Sequence, residues 1–148
     1  MNIIQVAKVD YNHLNARQKE TRNFHKIASE LSEFGFNSLW LTDDWQGADF
    51  ISIHKDGEII KVQLKGRFTV DAKYLGKELY IAFFDNVLGW FLYPHDQLHT
   101  ITMNHSLGAN KNGARSIGGV PKWLYPHLEI YIINKNNEYL NLLSLKKQ

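Results

Sequence analysis

Apolar residues recur at helical spacing most clearly near the start of the chain. Phe24, Ile27, Leu31 and Phe34 fall on one face of a helix predicted for residues 14–35. Asn15 and Gln18 have the three-residue spacing of a capping box, and Gly35 supplies a stop at the other end. Beyond it the period shortens. Residues 37–42 predict a strand leading into a polar turn at Asp43-Asp44. Residues 48–54 and 59–65 alternate apolar with polar, and the Asp56-Gly57 pair between them is a strong hairpin signal. Residues 66–78 hold two glycines and mixed charge, and no single period describes them. Residues 79–85 are apolar enough for a fully buried strand; 86–89 turn the chain and 90–93 return it. Pro94 stands where a helix can start and run to about Met103. Residues 104–120, rich in Gly and Asn, predict a mobile loop, and Pro121 can open a short helix to about residue 129. The order predicts an α/β fold, with an N-terminal helix followed by a mixed central β-sheet flanked by helices.

Composition narrows the possibilities. A chain of 148 residues fits one domain, spanning 1–148, and 44% apolar residues can fill its core. The net charge is only +2, so any nucleic-acid binding must come from a local patch. With no cysteine, disulfides, thiolate zinc sites and thiol nucleophiles are excluded together. A cytoplasmic location is the expectation that follows, and no apolar run reaches the roughly 18 residues of a membrane span. The seven histidines lack metal-ligand spacing and are expected at the surface or at caps. Neither a Gly-x-Ser-x-Gly elbow nor a Gly-x-x-x-x-Gly-Lys phosphate loop occurs.

Four polar residues stand out by position. Glu20 falls, in helical angle, between Phe24 and Ile27, where a carboxylate pays for desolvation unless it is compensated. Asp49 opens a predicted strand just after Gln46-Gly47-Ala48, where glycine permits close backbone approach. Gln63 and Lys65 lie two apart on the next strand and share a face. The hairpin brings Asp49 and Gln63 to one end of the sheet. A carboxylate, an amide oxygen and an ammonium collected there suit metal-assisted phosphodiester cleavage, because Mg²⁺ takes hard oxygen ligands and few of them from protein. Asp49, Gln63 and Glu20 are the expected metal residues, with the Leu64 carbonyl beside them. Lys65 is expected to act on the water or on charge growing at the phosphate. The bland reading of Lys61, Gln63 and Lys65 is the polar side of a half-exposed strand.

Taken in order, Glu20, Gly47-Ala48-Asp49 and Gln63-Leu64-Lys65 resemble the motif of the PD-(D/E)XK (restriction endonuclease-like) nuclease superfamily. That motif is a helix bearing an acid, then a hairpin carrying Asp and [Glu/Gln]-x-Lys. Leu31–Phe36 also resembles the helix end of archaeal Holliday-junction resolvases. The resemblance covers roughly residues 14–93 and implies a restriction endonuclease-like core. It implies a Mg²⁺- or Mn²⁺-dependent endonuclease hydrolysing DNA, with catalytic residues Glu20, Asp49, Gln63 and Lys65. Two departures are Ala48 in the place of proline and Gln63 in the place of the commoner acid. The second removes a negative charge and supports an alternative: a weakened nuclease-fold module that binds nucleic acid or a protein partner without cleavage. RNA in place of DNA also stays open.

Arg67, Lys111, Arg115 and Lys122 are the expected nucleic-acid contacts; the last three sit in a stretch, 104–122, without an acid. Trp40, Phe83 and Trp90 are expected in the core, and Trp45 is the candidate functional aromatic. The resemblance further implies a possible homodimer, with strands 79–93 and the tail leucines Leu140, Leu142, Leu143 and Leu145 as candidate faces.

Overall fold

The computed structural model describes residues 4–105 and 114–133. Helix α1 spans Ala16–Ser32. Its start is the capping box read from the sequence: the Asn15 carboxamide accepts from the Gln18 N–H at 2.8 Å and Gln18 Oε1 accepts from the Asn15 N–H at 2.9 Å. Gly35, with φ +83°, turns the chain away at the far end.

Strands β1 (Phe36–Trp45), β2 (Ala48–His54) and β3 (Ile59–Leu64) form an antiparallel meander. Asp43-Asp44, expected as a turn, instead lies within β1, which continues to Trp45. The turn is Gln46-Gly47, with φ of 54° and 84° between the paired Trp45 and Ala48. Two positive φ values in a two-residue loop match the twist of the flanking strands. A Cβ on Gly47 would stand 3.1 Å from the Tyr74 ring, so glycine here answers both a backbone and a packing need.

The segment 66–78 resolves into β4 (Phe68–Asp71) and a 3₁₀ turn at Ala72–Tyr74. It forms the crossover from β3 to β5 (Leu79–Asp85), which pair in parallel. A crossover of this length is commonly a helix; here a strand and a tight turn do the work. Strand β6 (Gly89–Pro94) returns antiparallel to β5, giving the sheet order β1-β2-β3-β5-β6. Helix α2 (His95–Met103) follows directly and packs on β4, β5, β6 and the 3₁₀ turn.

Residues 104–120 are not one loop. Strand β7 (Ala114–Ile117) pairs antiparallel with β4 as a two-stranded sheet. Its backbone N–H groups needed partners, and β4 offered an open edge. Residues 106–113, Lys111 included, lie outside the described residues, as do Leu140, Leu142, Leu143 and Leu145. After Pro121 the chain turns before a short helix α3 (Tyr125–Leu128) forms.

The core is continuous across these layers. Phe24, Ile27 and Leu31 of α1 are buried, and the Phe24 ring meets Phe50 of β2 edge-on at 5.1 Å. Each such fully buried side chain contributes about 1.5–3 kcal/mol. On the other side Phe68 stacks on Tyr93 at 5.1 Å. The Tyr93 hydroxyl donates to the Thr69 carbonyl at 2.6 Å and accepts from the Thr69 N–H at 3.0 Å, fastening the small sheet to the large one. Phe83 and Trp90 are buried as expected, but Trp40 is 40% exposed, its ring meeting Phe24 in a T-shaped contact at 5.1 Å. Of the histidines expected at the surface or at caps, His54, His95 and His99 are buried, and His54 Nδ1 accepts the Asp56 N–H of the turn after β2 at 3.2 Å. His95 illustrates the reason: its Nε2 accepts the Asp71 N–H at 2.9 Å and its Nδ1 lies 2.8 Å from Asp96, so both ring nitrogens are satisfied. No helix of the described residues is long and apolar enough to cross a membrane.

Candidate active site

The backbone ladder between β2 and β3 ends at Phe50 and Val62. One step beyond, in the same register, Asp49 stands opposite Gln63. The Leu64 N–H, with no β2 backbone partner left, donates to the Asp49 carboxylate at 2.8 Å. The end of the hairpin is thus closed by a side chain, and that bond orients the carboxylate. Lys65 follows at the end of β3, its N–H donating to the Ala82 carbonyl at 2.8 Å. The Lys65 Nζ lies 5.5 Å from the centroid of the Tyr74 ring, the same ring that packs against Gly47.

Helix α1 covers this end of the sheet. Ala16, Glu20 and Asn23, at helical spacing, line one cleft with Lys19, Asp49, Gln63, Leu64, Lys65 and Gly66. The cleft measures about 410 Å³. All four residues singled out as catalytic from the sequence therefore meet in it. Glu20 does not sit in the apolar packing of α1. It is exposed, one turn before Phe24, and also borders a second cleft lined by Phe24 and Trp40.

Burial raises the Asp49 carboxyl above its ordinary value of 3.8. The Leu64 N–H and Lys65 pull it down, while the nearby carboxylates Glu20 and Asp44 push it further up. An acid held up by desolvation and like charge is a site that a cation would relieve. Among the described residues, no group of three or more His, Cys, Asp or Glu side chains is arranged to hold a metal ion. The donor set here is instead two carboxylates and the Gln63 amide oxygen in a solvent-accessible cleft. That set fits a hard divalent cation that keeps much of its water, and offers none of the thiolate or imidazole that zinc takes.

The remaining candidates fall outside the cleft. Arg67 is exposed just beyond Gly66, and Lys122 is exposed on the turn before α3. Arg115 lies in β7 and gives a guanidinium N–H to the Thr102 carbonyl at 3.1 Å, which ties it to the end of α2. Trp45 is 47% exposed, with the Lys61 ammonium 5.6 Å from its ring. Strands β5 and β6 are largely buried within the chain, leaving Phe84 and Val87 as the large exposed apolar residues of 79–93.

The Holliday junction resolvase of Archaeoglobus fulgidus superposes on this chain with a TM-score of 0.50 at 14% identity. The match covers 74% of this chain and 89% of that one. The chain has the restriction endonuclease-like fold. A bacterial homing endonuclease aligns over 90% of this chain and 94% of its own, at 14% identity and a TM-score of 0.44. No family model and no curated protein sequence matches. Within the restriction endonuclease-like fold, the residues that sequence reasoning missed are Lys19, Asn23 and Tyr74. The first two carried a signal, since Asn23 repeats the spacing that starts at Ala16 and Glu20. Tyr74 carried none, because its place depends on the unforeseen β4 and 3₁₀ turn.

Proposed function

We propose that this protein is a divalent-metal-dependent endonuclease that hydrolyses phosphodiester bonds in DNA, with Mg²⁺ or Mn²⁺ as cofactor. The observation that carries the proposal is the single cleft in which Glu20, Asp49, Gln63 and Lys65 meet. Asp49, Gln63 and Glu20 would hold the cation. Once bound, a cation of this kind lowers the pKa of a coordinated water and polarises the phosphate. Asp49 is kept in one orientation by the Leu64 N–H. Lys65, beside it, places a positive charge where charge accumulates on the phosphate oxygens. Water oxygen bonds to phosphorus, one P–O ester bond breaks, and the leaving oxygen takes up a proton. Arg67 and Lys122, both exposed, contact neighbouring phosphates in this reading. The archaeal neighbour is a Holliday junction resolvase, which makes branched DNA a substrate to include.

Gln63 favours a second reading. A neutral amide where a carboxylate would bind more strongly suits a module that holds nucleic acid without cutting it. Supercoiled, linear, single-stranded and branched DNA incubated with Mg²⁺, Mn²⁺ or EDTA separates the two. The nuclease reading expects metal-dependent products, increased by Gln63→Glu, which restores a charge to the site. Intact DNA with every metal and in both proteins, alongside retained DNA binding, would establish the second reading.

A further inference from the structure

Next to the candidate active site is a groove whose charged side chains are all cationic. The two share Asn23, Lys65 and Gly66. The groove measures about 460 Å³, within the range of about 300–1,000 Å³ in which small ligands are held. It is lined by Tyr11, Arg22, Asn23, Lys65, Phe84 and Asn86, with Asn12 and Gly66 completing it. It therefore contains two cations, three amides and two aromatic rings, and no carboxylate. The adjoining cleft balances Glu20 and Asp49 against Lys19 and Lys65.

Two details suggest a built site. The Arg22 guanidinium lies 5.0 Å from the centroid of Tyr11, and Asn23 Nδ2 donates to the Tyr11 hydroxyl at 3.0 Å. Tyr11 thus holds Arg22 against the groove that Lys65 also lines. Phe84 is 47% exposed, and its ring rests on the buried Trp90 at 5.3 Å. Phe84 costs solubility where it stands and adds little to the core, which is the balance expected of an aromatic that receives a base.

We infer that this groove binds an unpaired nucleotide next to the scissile phosphate, its base stacked on Phe84 and its phosphate held by Arg22. The inference rests on the proposed nuclease reading for its substrate class. It narrows that class to DNA with an unstacked nucleotide beside the cut, because a base within a duplex has no free face to offer Phe84. Asn23 and Asn86 supply amide donors and acceptors to the base edge or sugar.

The test is anisotropy of a labelled single-stranded oligonucleotide and of the same strand annealed to its complement, both in EDTA. Wild type, Phe84→Ala, Phe84→Trp and Arg22→Ala are compared, with circular dichroism as the folding control. The expected result is tighter binding of the single strand by wild type. Phe84→Ala should weaken single-strand binding by about 5- to 100-fold and leave duplex binding unchanged, with Phe84→Trp restoring it. Arg22→Ala should weaken both and lower the salt slope by about 1. Unchanged single-strand binding in Phe84→Ala, or an equal loss on the duplex, would overturn the inference. Binding without metal is read separately from cleavage. A protein that stacks single strands on Phe84 but never cuts keeps the groove and loses the nuclease. One that cuts while Phe84→Ala binds normally keeps the nuclease and loses the groove.

Discussion

At the scale of the residue, the candidate site centres on one carboxylate, Asp49, whose charged form its surroundings disfavour. Its carboxyl is pushed up by burial and by Glu20, so the folded protein disfavours the ionised form that neutral pH imposes. Asp49→Asn keeps an acceptor for the Leu64 N–H and removes the charge. The expected outcome at pH 7 is a higher melting temperature together with loss of metal-dependent cleavage, the trade-off of a site selected for activity over stability. A lower melting temperature would show that the carboxylate serves the fold. Lys65→Ala should lower kcat by about 10²–10³-fold, the usual effect of removing one group that stabilises transition-state charge. His95, which does not line the cleft, responds to pH in the opposite sense to a salt-bridged histidine. Burial holds its pKa below the ordinary 6.5, outweighing the raising effect of Asp96. The unfolded chain therefore binds a proton at a pH where the folded chain does not. Stability is full above that value and falls as pH drops through it toward the lower folded pKa. The melting temperature should decline from pH 7 to pH 5 in wild type, and less steeply in His95→Gln.

At the scale of the element, α1 and the β1–β2 turn place the site, and both are accessible to substitution. Asn15→Ala removes the cap that starts α1 and should cost about 1 kcal/mol in denaturant unfolding. Gly47→Ala combines a left-handed backbone, worth about 1–2 kcal/mol against a side chain, with a Cβ only 3.1 Å from Tyr74. It should destabilise by more than the cap variant and should also slow cleavage, since Tyr74 supports Lys65. These elements also mark how far the sequence was legible. The capping box, the alternation of β2 and β3 and the buried run of β5 depend on local pattern, and each was read close to its observed limits. The parts misread depend on distant partners. Asp43-Asp44 looks like a turn until the strand they extend is known. Strands β4 and β7 are four residues each and exist because each gives the other an edge. The burial of His95 was invisible because the N–H that its Nε2 accepts belongs to Asp71, far off in sequence. The site was legible through the order and spacing of Glu20, Asp49, Gln63 and Lys65. The groove beside it was not, because Tyr11, Arg22 and Phe84 come together only through the fold.

At the scale of the molecule, the architecture gathers chemistry at one end of the sheet. Antiparallel pairing of β2 with β3 sets Asp49 opposite Gln63, parallel pairing of β3 with β5 leads Lys65 out of the sheet, and α1 lays Glu20 across the gap. The resulting cleft carries two carboxylates and two lysines, and the groove next to it is cationic. A phosphodiester strand crossing from one to the other would place a phosphate at the boundary, beside Lys65. The measurement that tests this most directly is plasmid nicking in Mn²⁺ by wild type, Asp49→Ala and Lys65→Ala, each confirmed as folded. Nicking by wild type that EDTA abolishes and both variants lose is the predicted result. Nicking that survives in Asp49→Ala and Lys65→Ala would place any cutting elsewhere and contradict the account.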